Sequence, residues 1–188
     1  MNNMDVHFDF DHYQVRLIKS SDAVMIANYF MRNRHHLEPW EPKRTNAFFT
    51  AEGWKQRLLQ LVELHKHNLA FYFVIFDNQE KRIIGTVSYS NITRFPFYAT
   101  NVGYSLDENE QGNGIMQRAV EKTIHWMFTV QNLHRIMAAY IPRNNKSGNV
   151  LSKLGFVKEG EAKAYLYING GWEDHILTSK TNEHWKPD

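Results

Sequence analysis

The sequence of 188 residues contains no cysteine. This absence excludes disulfide bonds, thiolate zinc sites and a cysteine nucleophile, and it is typical of proteins in a reducing compartment. No apolar run approaches the roughly 18 residues that a membrane-spanning helix requires. The N-terminus lacks a basic segment followed by an apolar one, so we expect no signal peptide. We therefore expect a cytoplasmic protein that does not associate with membranes.

The sequence also has little excess charge, with a formal net charge of +2 from 22 basic and 20 acidic residues. This excess is too small to favour nucleic-acid binding. Its content of 43% hydrophobic and 22% charged residues is ordinary for a globular domain. No internal repeat or low-complexity linker divides the chain, and we predict a single domain over residues 1–188.

Histidine pairs are few, and none indicates a metal site. His65 and His67 have a spacing that would suit two ligands on a strand better than on the helix predicted there, so we expect no metal. Asp174 and His175 are neighbours on a predicted strand, where successive side chains point to opposite faces. We therefore interpret them as structural residues and not as an acid–base pair.

The hydrophobic pattern predicts a mixed α+β fold. A helix capped by Ser20 or Ser21 extends to about Arg32, a second follows a Thr50 cap, a third covers residues 115–129, and a short fourth ends at Gly155. The predicted strands are segments 13–19, 70–76, 82–90, 99–107, 134–141, 156–168 and 172–180. Their order predicts a mostly antiparallel central sheet of six or seven strands with four flanking helices and one strand–helix–strand crossover.

The segment "QGNG", from Gln111 to Gly114, lies between a predicted strand and a strongly apolar helix. Glycine is favoured where φ is positive or where a ligand approaches the backbone closely. Free N–H groups at a helix N-terminus suit a phosphate or pyrophosphate. A P-loop would need a lysine after the second glycine, and a dinucleotide-binding fingerprint would need glycine at Gln117, so both alternatives fail.

The glycine segment resembles the pyrophosphate loop of the GNAT acetyltransferase family, [QR]-x-x-G-x-[GA]. Gln111 and Gly114 match, whereas Met116 replaces the final small residue. Further along, Asn144 and Ser147, followed by "LGF", are similar to the second signature of that family, N-x-x-[AS]…LGF. The resemblance extends from about residue 15 to residue 179. It implies the GNAT fold with splayed central strands, acetyl-CoA as cosubstrate, and no metal.

The resemblance also implies where acetyl-CoA binds. In that family the pantetheine arm lies between the two splayed strands, here along the backbone near Ser105 and Leu106, and Asn144 would hold its amide groups. The alternative is that the two glycines only form a turn. The implied cofactor-binding residues are Ser105, Leu106, Gln111, Gly112, Asn113, Gly114, Ile115, Met116, Asn144 and Ser147.

Longer segments, such as "RNRHHLEPWEP" and "EGEAKAYLYINGGWEDHILT", are similar to one branch of the family. That branch acetylates the N-terminal alanine of a small-subunit ribosomal protein. The implied partner is thus a protein N-terminus, and family habit suggests a monomer or weak dimer. The alternatives are a GNAT enzyme for a small amine (amino acid, polyamine or aminoglycoside), a non-catalytic acyl-CoA-binding regulatory protein, and a different nucleotide-binding domain.

Acetyl transfer needs a neutral amine and a proton for the departing thiolate. Many family members have a tyrosine donor seven residues after the motif asparagine, but this position is Leu151 here, so we predict that Ser147 donates. Some relatives have a glutamate base in the strand after "GF", and this chain has none. We hypothesise that Glu41 orients the incoming amine and that Trp40 and Tyr104 contact the substrate.

Each of these candidate residues also has a structural interpretation. Ser147 could serve only as a helix N-cap, and Glu41 could be a solvated loop carboxylate. Trp40, between two prolines, could anchor its loop on the core. Tyr104 alternates with apolar residues, which favours a role in sheet packing.

Overall fold

The structure is a computed structural model that describes residues 6–187. Within these residues, eight strands form one sheet in the order β1-β2-β3-β4-β5-β6-β8-β7. Neighbouring strands are antiparallel except β5 and β6, which are parallel. The strands are β1 (His7–Phe10), β2 (Tyr13–Leu17), β3 (Phe71–Asp77), β4 (Arg82–Thr93), β5 (Ala99–Leu106), β6 (Arg135–Tyr140), β7 (Val157–Ile168) and β8 (Gly171–Thr181).

Five α-helices accompany the sheet in the described residues: α1 (Ala23–Arg32), α2 (Arg34–Leu37), α3 (Ala51–Lys66), α4 (Ile115–Thr129) and α5 (Asn145–Lys153). None of these helices is long and apolar enough to cross a membrane. Residues 1–5, on which the signal-peptide expectation partly depends, and residue 188 of the expected single domain lie outside the described residues.

The predicted α+β class is confirmed, but the predicted counts of six or seven strands and four helices were too low. The additional strand, β1, is a four-residue edge strand joined to β2 by a tight turn in which Asp11 has a φ of 49°. The additional helix, α2, is one turn that continues the chain after α1, and its Leu37 side chain is buried. Both elements are too short to produce a clear periodic pattern.

The predicted cap of the first helix at Ser20 or Ser21 is wrong, because both serines lie within a short 3-10 helix that precedes α1.

Other local signals for turns and caps are confirmed. The Thr50 hydroxyl accepts a hydrogen bond from the N–H of Gly53 at 3.1 Å and so caps α3. Gly155 has a φ of +79° immediately after α5, as expected for a helix-ending glycine. Asn169 and Gly170 have φ values of 44° and 90°, the positive pair that a tight β7–β8 hairpin turn needs.

The sheet is covered on both faces, which explains why β3 carries only apolar and aromatic residues from Phe71 to Phe76. Phe73 and Val74 are both fully buried, although as neighbours on a strand they point to opposite faces. Val74 belongs to the core cluster that includes residues of α1 and α3, whereas Phe73 belongs to the one formed with α4 and α5 and contacts the Trp126 ring of α4. The sheet thus lies between two helical layers, each with its own core.

The two central strands, β5 and β6, separate along part of their length, as the family resemblance implied. β5 and β6 pair only where Ala99–Asn101 lies opposite Arg135–Met137. Beyond these residues β5 remains paired with β4 up to Leu106, and β6 remains paired with β8 up to Tyr140. Because each strand follows its other neighbour, a gap opens in the middle of the sheet.

Candidate active site

A cavity of about 1180 Å³ occupies the gap between β5 and β6. It extends from the glycine segment before α4 to the segment after α2. Asn113 is exposed and does not line it. The predicted site residues that do line it are Trp40, Glu41, Tyr104, Ser105, Leu106, Gln111, Gly112, Gly114, Ile115, Met116, Asn144 and Ser147.

The backbone of β5 presents free polar groups to this cavity. The N–H of Asp107 donates to the carbonyl of Ile84 at 2.7 Å. In an antiparallel pair the bonded residues alternate, so the backbone groups of Ser105 also face β4, and those of Tyr104 and Leu106 face the gap. Leu106, not Ser105, therefore offers its backbone to a ligand in the gap. Buried backbone groups need partners, and an extended amide chain could supply them.

The glycine segment is open on its outer side. Gly112 and Gly114 have φ values of +87° and +72°, and a Cβ atom at either position would meet nothing within 4 Å. The positive φ explains why these residues are glycines, and the open space leaves the N–H groups at the start of α4 accessible. Met116 is only 6% exposed and packs in the core. Its departure from the family pattern therefore does not obstruct the loop.

Basic side chains surround the cavity. The Gln111 side chain connects the glycine segment to α2 and α5. Its Nε2 lies 2.8 Å from His36 Nε2 of α2, and its Oε1 accepts a hydrogen bond from Lys146 Nζ of α5. Among the described lining residues, Glu41 is the only carboxylate. The lining arginines and lysines are Arg44, Arg57, Arg143, Lys146 and Lys153. This charge distribution suits an anionic ligand.

A buried carboxylate fixes the point where β5 enters the glycine segment. Asp107 accepts from Arg32 Nε at 2.7 Å and from Arg82 Nη1 at 2.9 Å. Asn33 bonds both Asp107 and the N–H of Glu108. Burial alone would raise the pKa of the Asp107 carboxyl, but the hydrogen bonds from Arg32 and Asn33 outweigh it and lower this pKa below its ordinary value. The carboxylate is therefore ionised at neutral pH.

Tyr104 and Ser147 form a polar pair on the α5 side of β5. The Tyr104 hydroxyl lies 3.0 Å from Ser147 Oγ and donates to the Ser147 carbonyl at 3.1 Å. Burial raises the pKa of Tyr104, so it remains protonated at neutral pH. The Ser147 N–H donates to Asn144 Oδ1 at 3.2 Å, which makes Asn144 the N-cap of α5. The interpretation of Ser147 as the cap itself is therefore wrong, and its hydroxyl is available for other roles.

Four hydroxyl groups, here called the hydroxyl chain, lie on the opposite face of β5. They belong to Tyr29, Ser105, Thr86 and Tyr72. Ser105 Oγ lies 2.8 Å from both the Tyr29 hydroxyl and Thr86 Oγ1. The Tyr72 hydroxyl lies near Thr86, which partly offsets the effect of burial on the Tyr72 pKa. Burial raises the pKa of Tyr72, and the nearby charge of Glu41 adds to the effect. The sequence did not predict this chain, because its four residues are far apart and share no local spacing.

Glu41 lies at the same side of the cavity as the hydroxyl chain. Its carboxylate is 3.4 Å from Arg44 and its side chain is 22% exposed, so it is not a solvated loop carboxylate. Burial raises its pKa above the ordinary value, and Arg44 partly offsets this rise. Its carbonyl accepts from the N–H of Asn169 at 3.0 Å. The neighbouring Trp40 ring lies under the Arg143 guanidinium at 5.5 Å.

The histidines considered in the sequence lie in different places and have different contacts. His65 Nε2 accepts from the N–H of Tyr72 at 3.0 Å, and burial lowers the pKa of His65 to about 4. His67 is exposed, so the two rings do not converge on one point. The Asp174 carboxylate accepts hydrogen bonds from β7, whereas His175 lines the cavity. No local pattern in the sequence predicts this position of His175.

Comparison with known proteins agrees with this geometry. Residues 9–157 match the family model of the acetyltransferase (GNAT) domain. The chain is 46% identical over 177 residues to the [ribosomal protein uS5]-alanine N-acetyltransferase of Escherichia coli K12, covering 94% of this chain and 91% of that protein. The chain belongs to the GNAT acetyltransferase family, and it is an acetyltransferase.

Solved structures show the same fold. The crystal structure of ribosomal-protein-S5-alanine acetyltransferase from Vibrio fischeri is 80% identical with a TM-score of 0.96, covering 97% of this chain and all of that one (100%). RimJ of Mycobacterium smegmatis, solved in complex with CoA-disulfide, is 29% identical with a TM-score of 0.85, covering 94% of this chain and 85% of that one. The GNAT fold expected from the two sequence signatures is confirmed.

The anchor at Asp107 generates a prediction about stability. Asp107→Asn should lower the free energy of unfolding by about 2 kcal/mol at pH 7, somewhat less than for a fully buried pair because both arginines are partly exposed. Since the folded-state pKa of Asp107 is depressed, its contribution is complete above the unfolded pKa of about 3.9 and is lost as pH falls through the folded pKa. Urea titrations at several pH values should show the difference shrinking in acid.

The matched control is Asp11→Asn, which removes an exposed ion pair with Arg118. It should leave the unfolding free energy nearly unchanged. Equal effects of the two substitutions would contradict the anchoring role of Asp107.

Proposed function

We propose that this protein transfers the acetyl group of acetyl-CoA to the N-terminal α-amine of a protein, with the alanine N-terminus of ribosomal protein uS5 as its substrate. The observation that carries the proposal is the cavity in the split sheet. The open glycine segment lies at one end of it and Glu41 lies at another. The names of the relatives from Escherichia coli and Vibrio fischeri, both alanine acetyltransferases of this ribosomal protein, support the choice of substrate.

Acetyl-CoA would bind along the length of this cavity. The amides beside Gly112 and Gly114, with Ile115 and Met116 at the start of α4, would hold the pyrophosphate. The gap-facing backbone of Leu106 would bond the pantetheine arm, as a strand bonds its neighbour. A coenzyme with several phosphates also matches the excess of basic lining residues. Binding of CoA by the related Mycobacterium smegmatis protein supports this assignment.

The two proton transfers of the reaction would occur on opposite faces of β5, one at the amine and one at the thiolate. The α-amine would approach from the face with Glu41 and the hydroxyl chain and attack the thioester carbonyl. As the C–N bond forms and the C–S bond breaks, the amine proton passes to Glu41, directly or through water. The thiolate leaves on the face of Tyr104 and Ser147, and this pair supplies its proton. The protonated Tyr104 suits a donor, and Ser147 would pass the proton on.

The charges of the cavity disfavour a polyamine substrate. A polycation would meet the basic lining, with only Glu41 opposing it among the described lining residues. A protein N-terminus brings a single amine with an ordinary pKa near 8. The retained polar groups on both faces of β5 likewise favour catalysis over a purely regulatory role.

A peptide panel tests the proposal. Acetyl-CoA turnover is measured with peptides beginning with Ala, Ser or Met, and with an N-terminally blocked peptide that offers only lysine amines. We expect turnover of the Ala peptide and none of the blocked peptide, because lysine deprotonation near pH 7.5 costs about 3 kcal/mol more. Acetylation of the blocked peptide, or CoA binding without any turnover, would contradict the proposal.

Replacement of Glu41 tests the amine side of the mechanism. Glu41→Gln should lower kcat at least tenfold at neutral pH, a modest loss on the scale of about 10²–10⁴ for acid–base catalysis. The defect should shrink in acid, where Glu41 of the wild type is itself protonated and cannot accept the proton. In the wild type, kcat should fall as the pH drops through the raised pKa of Glu41. The measurement is kcat against pH for both proteins.

Glu38→Gln provides the control, since Glu38 is an exposed carboxylate in the same short segment. Its kcat profile should match the wild type. An unchanged rate and profile for Glu41→Gln would eliminate Glu41 as the group that receives the proton.

Replacement of Tyr104 and Ser147 tests the thiolate side. Tyr104→Phe and Ser147→Ala should each lower kcat about 10²-fold while changing KM for acetyl-CoA little. Because the two hydroxyls act as a unit, the double variant should be only slightly slower than either single one. Steady-state kinetics of the three variants give the comparison. Multiplicative losses would show that the two hydroxyls act independently.

A further inference from the structure

The β7–β8 hairpin carries an exposed group of large apolar side chains. Tyr165, Leu166, Tyr167 and Trp172, here called the hairpin patch, are 44%, 44%, 54% and 66% exposed. Tyr167 and Trp172 share one face of the hairpin and Leu166 lies on the other, so the patch surrounds the end of the hairpin. Single exposed hydrophobic residues are ordinary, whereas a contiguous group of large ones marks an interaction surface. The other exposed large hydrophobic residues of the described chain form smaller groups, with at most two in one segment, as with Phe95 and Phe97 between β4 and β5.

The hairpin holds this patch in a defined geometry. Tyr167 and Trp172 are directly opposite each other in the β7–β8 ladder, and their ring centroids are 5.5 Å apart. The tight turn at Asn169 and Gly170 fixes the end of the hairpin. A partner would therefore meet side chains that are already ordered, which lowers the entropic cost of binding.

The hairpin patch is continuous with the cavity. The ring of Tyr165 contacts His175 at a centroid distance of 5.6 Å, and His175 lines the cavity. The turn residue Asn169 bonds the carbonyl of Glu41. An occupant of the patch would thus lie beside the side of the cavity where the amine enters.

A second connection crosses the hairpin from β8. Arg143 donates to both carboxylate oxygens of Glu173, at 2.7 and 2.8 Å. The same guanidinium lies over the ring of Trp40. Trp40 and Arg143 both line the cavity, so this contact joins the hairpin that carries the patch to the rim of the cavity.

We propose that the hairpin patch is the docking surface for the folded body of the protein whose N-terminus enters the cavity. This inference rests on the proposed function. A protein whose first residue reaches Glu41 has its next segment at this rim, so its folded part covers the hairpin. Trp and Tyr are the residue types that contribute most to protein–protein binding, and the patch is rich in both. A small amine would make no use of such a surface.

The experiment compares a folded substrate with a short one. Full-length ribosomal protein uS5 and a synthetic peptide with only its N-terminal sequence are acetylated by the wild type and by Trp172→Ser and Tyr167→Ser. We expect each substitution to lower kcat/KM for the full-length protein at least tenfold, because KM rises while kcat stays the same. For the peptide we expect a much smaller change, because it lacks the folded part that would cover the patch.

Val157→Ser is the matched control. Val157 is 67% exposed, much like Trp172, but lies at the opposite end of β7 from the hairpin turn. This variant should acetylate both substrates like the wild type. Calorimetric titration of full-length uS5 into each protein measures docking without turnover and should show weaker binding only for the two patch variants.

Three results would overturn the docking proposal. The patch variants could lose activity equally on both substrates, or they could bind and acetylate the full-length protein like the wild type. Light scattering could show that the wild type is a dimer and the patch variants are monomers, in which case a second copy of this chain occupies the patch. Binding of uS5 that depends on Trp172, without acetylation of it or its peptide, would support docking while contradicting the proposed function.

Discussion

The separation of β5 from β6 is the constraint on which the site depends. A continuous sheet would use the backbone groups of Leu106 in a ladder and would leave no cavity. The separation persists because each strand is more extensively paired with its outer neighbour. Asp107 strengthens this arrangement, since Arg32 and Arg82 hold the end of β5 against α1 and β4. The free backbone groups then need a partner of extended shape, and a ligand with amide groups can provide it.

The alternation of side chains along β5 places the groups for the two proton transfers on opposite faces of the strand. Tyr104 and Ser105 are adjacent, so their side chains lie on opposite faces of the strand. One face brings Tyr104 to Ser147, and the other places Ser105 in the hydroxyl chain near Glu41. A reaction that needs proton removal at one reactant and proton delivery at the other can therefore occur across a single strand. A shift of one residue in this strand would exchange the two faces.

Much of this arrangement could be predicted from local sequence signals. The glycine segment, the signature at Asn144 and the apolar stripe of α4 each lie within a short stretch, where spacing alone carries the information. The hydroxyl chain and the Asp107 anchor could not be predicted, because they join residues that are distant in sequence. Single Tyr, Thr, Ser or Asp residues on a strand give no sign of which faces will meet. The same limit concealed His175, whose position depends on how the hairpin lies against the cavity.

The chemistry itself offers little selectivity among protein N-termini. Near pH 7.5 roughly a quarter of α-amines with a pKa near 8 are already neutral, so their deprotonation costs only about 1 kcal/mol. Almost any accessible N-terminus could therefore react once it was held beside the thioester. Discrimination must come from contacts away from the reacting atoms, where binding free energy is used to position the amine. The bond from Asn169 to the Glu41 carbonyl joins such contacts to the site, because it connects the hairpin directly to the segment that receives the amine.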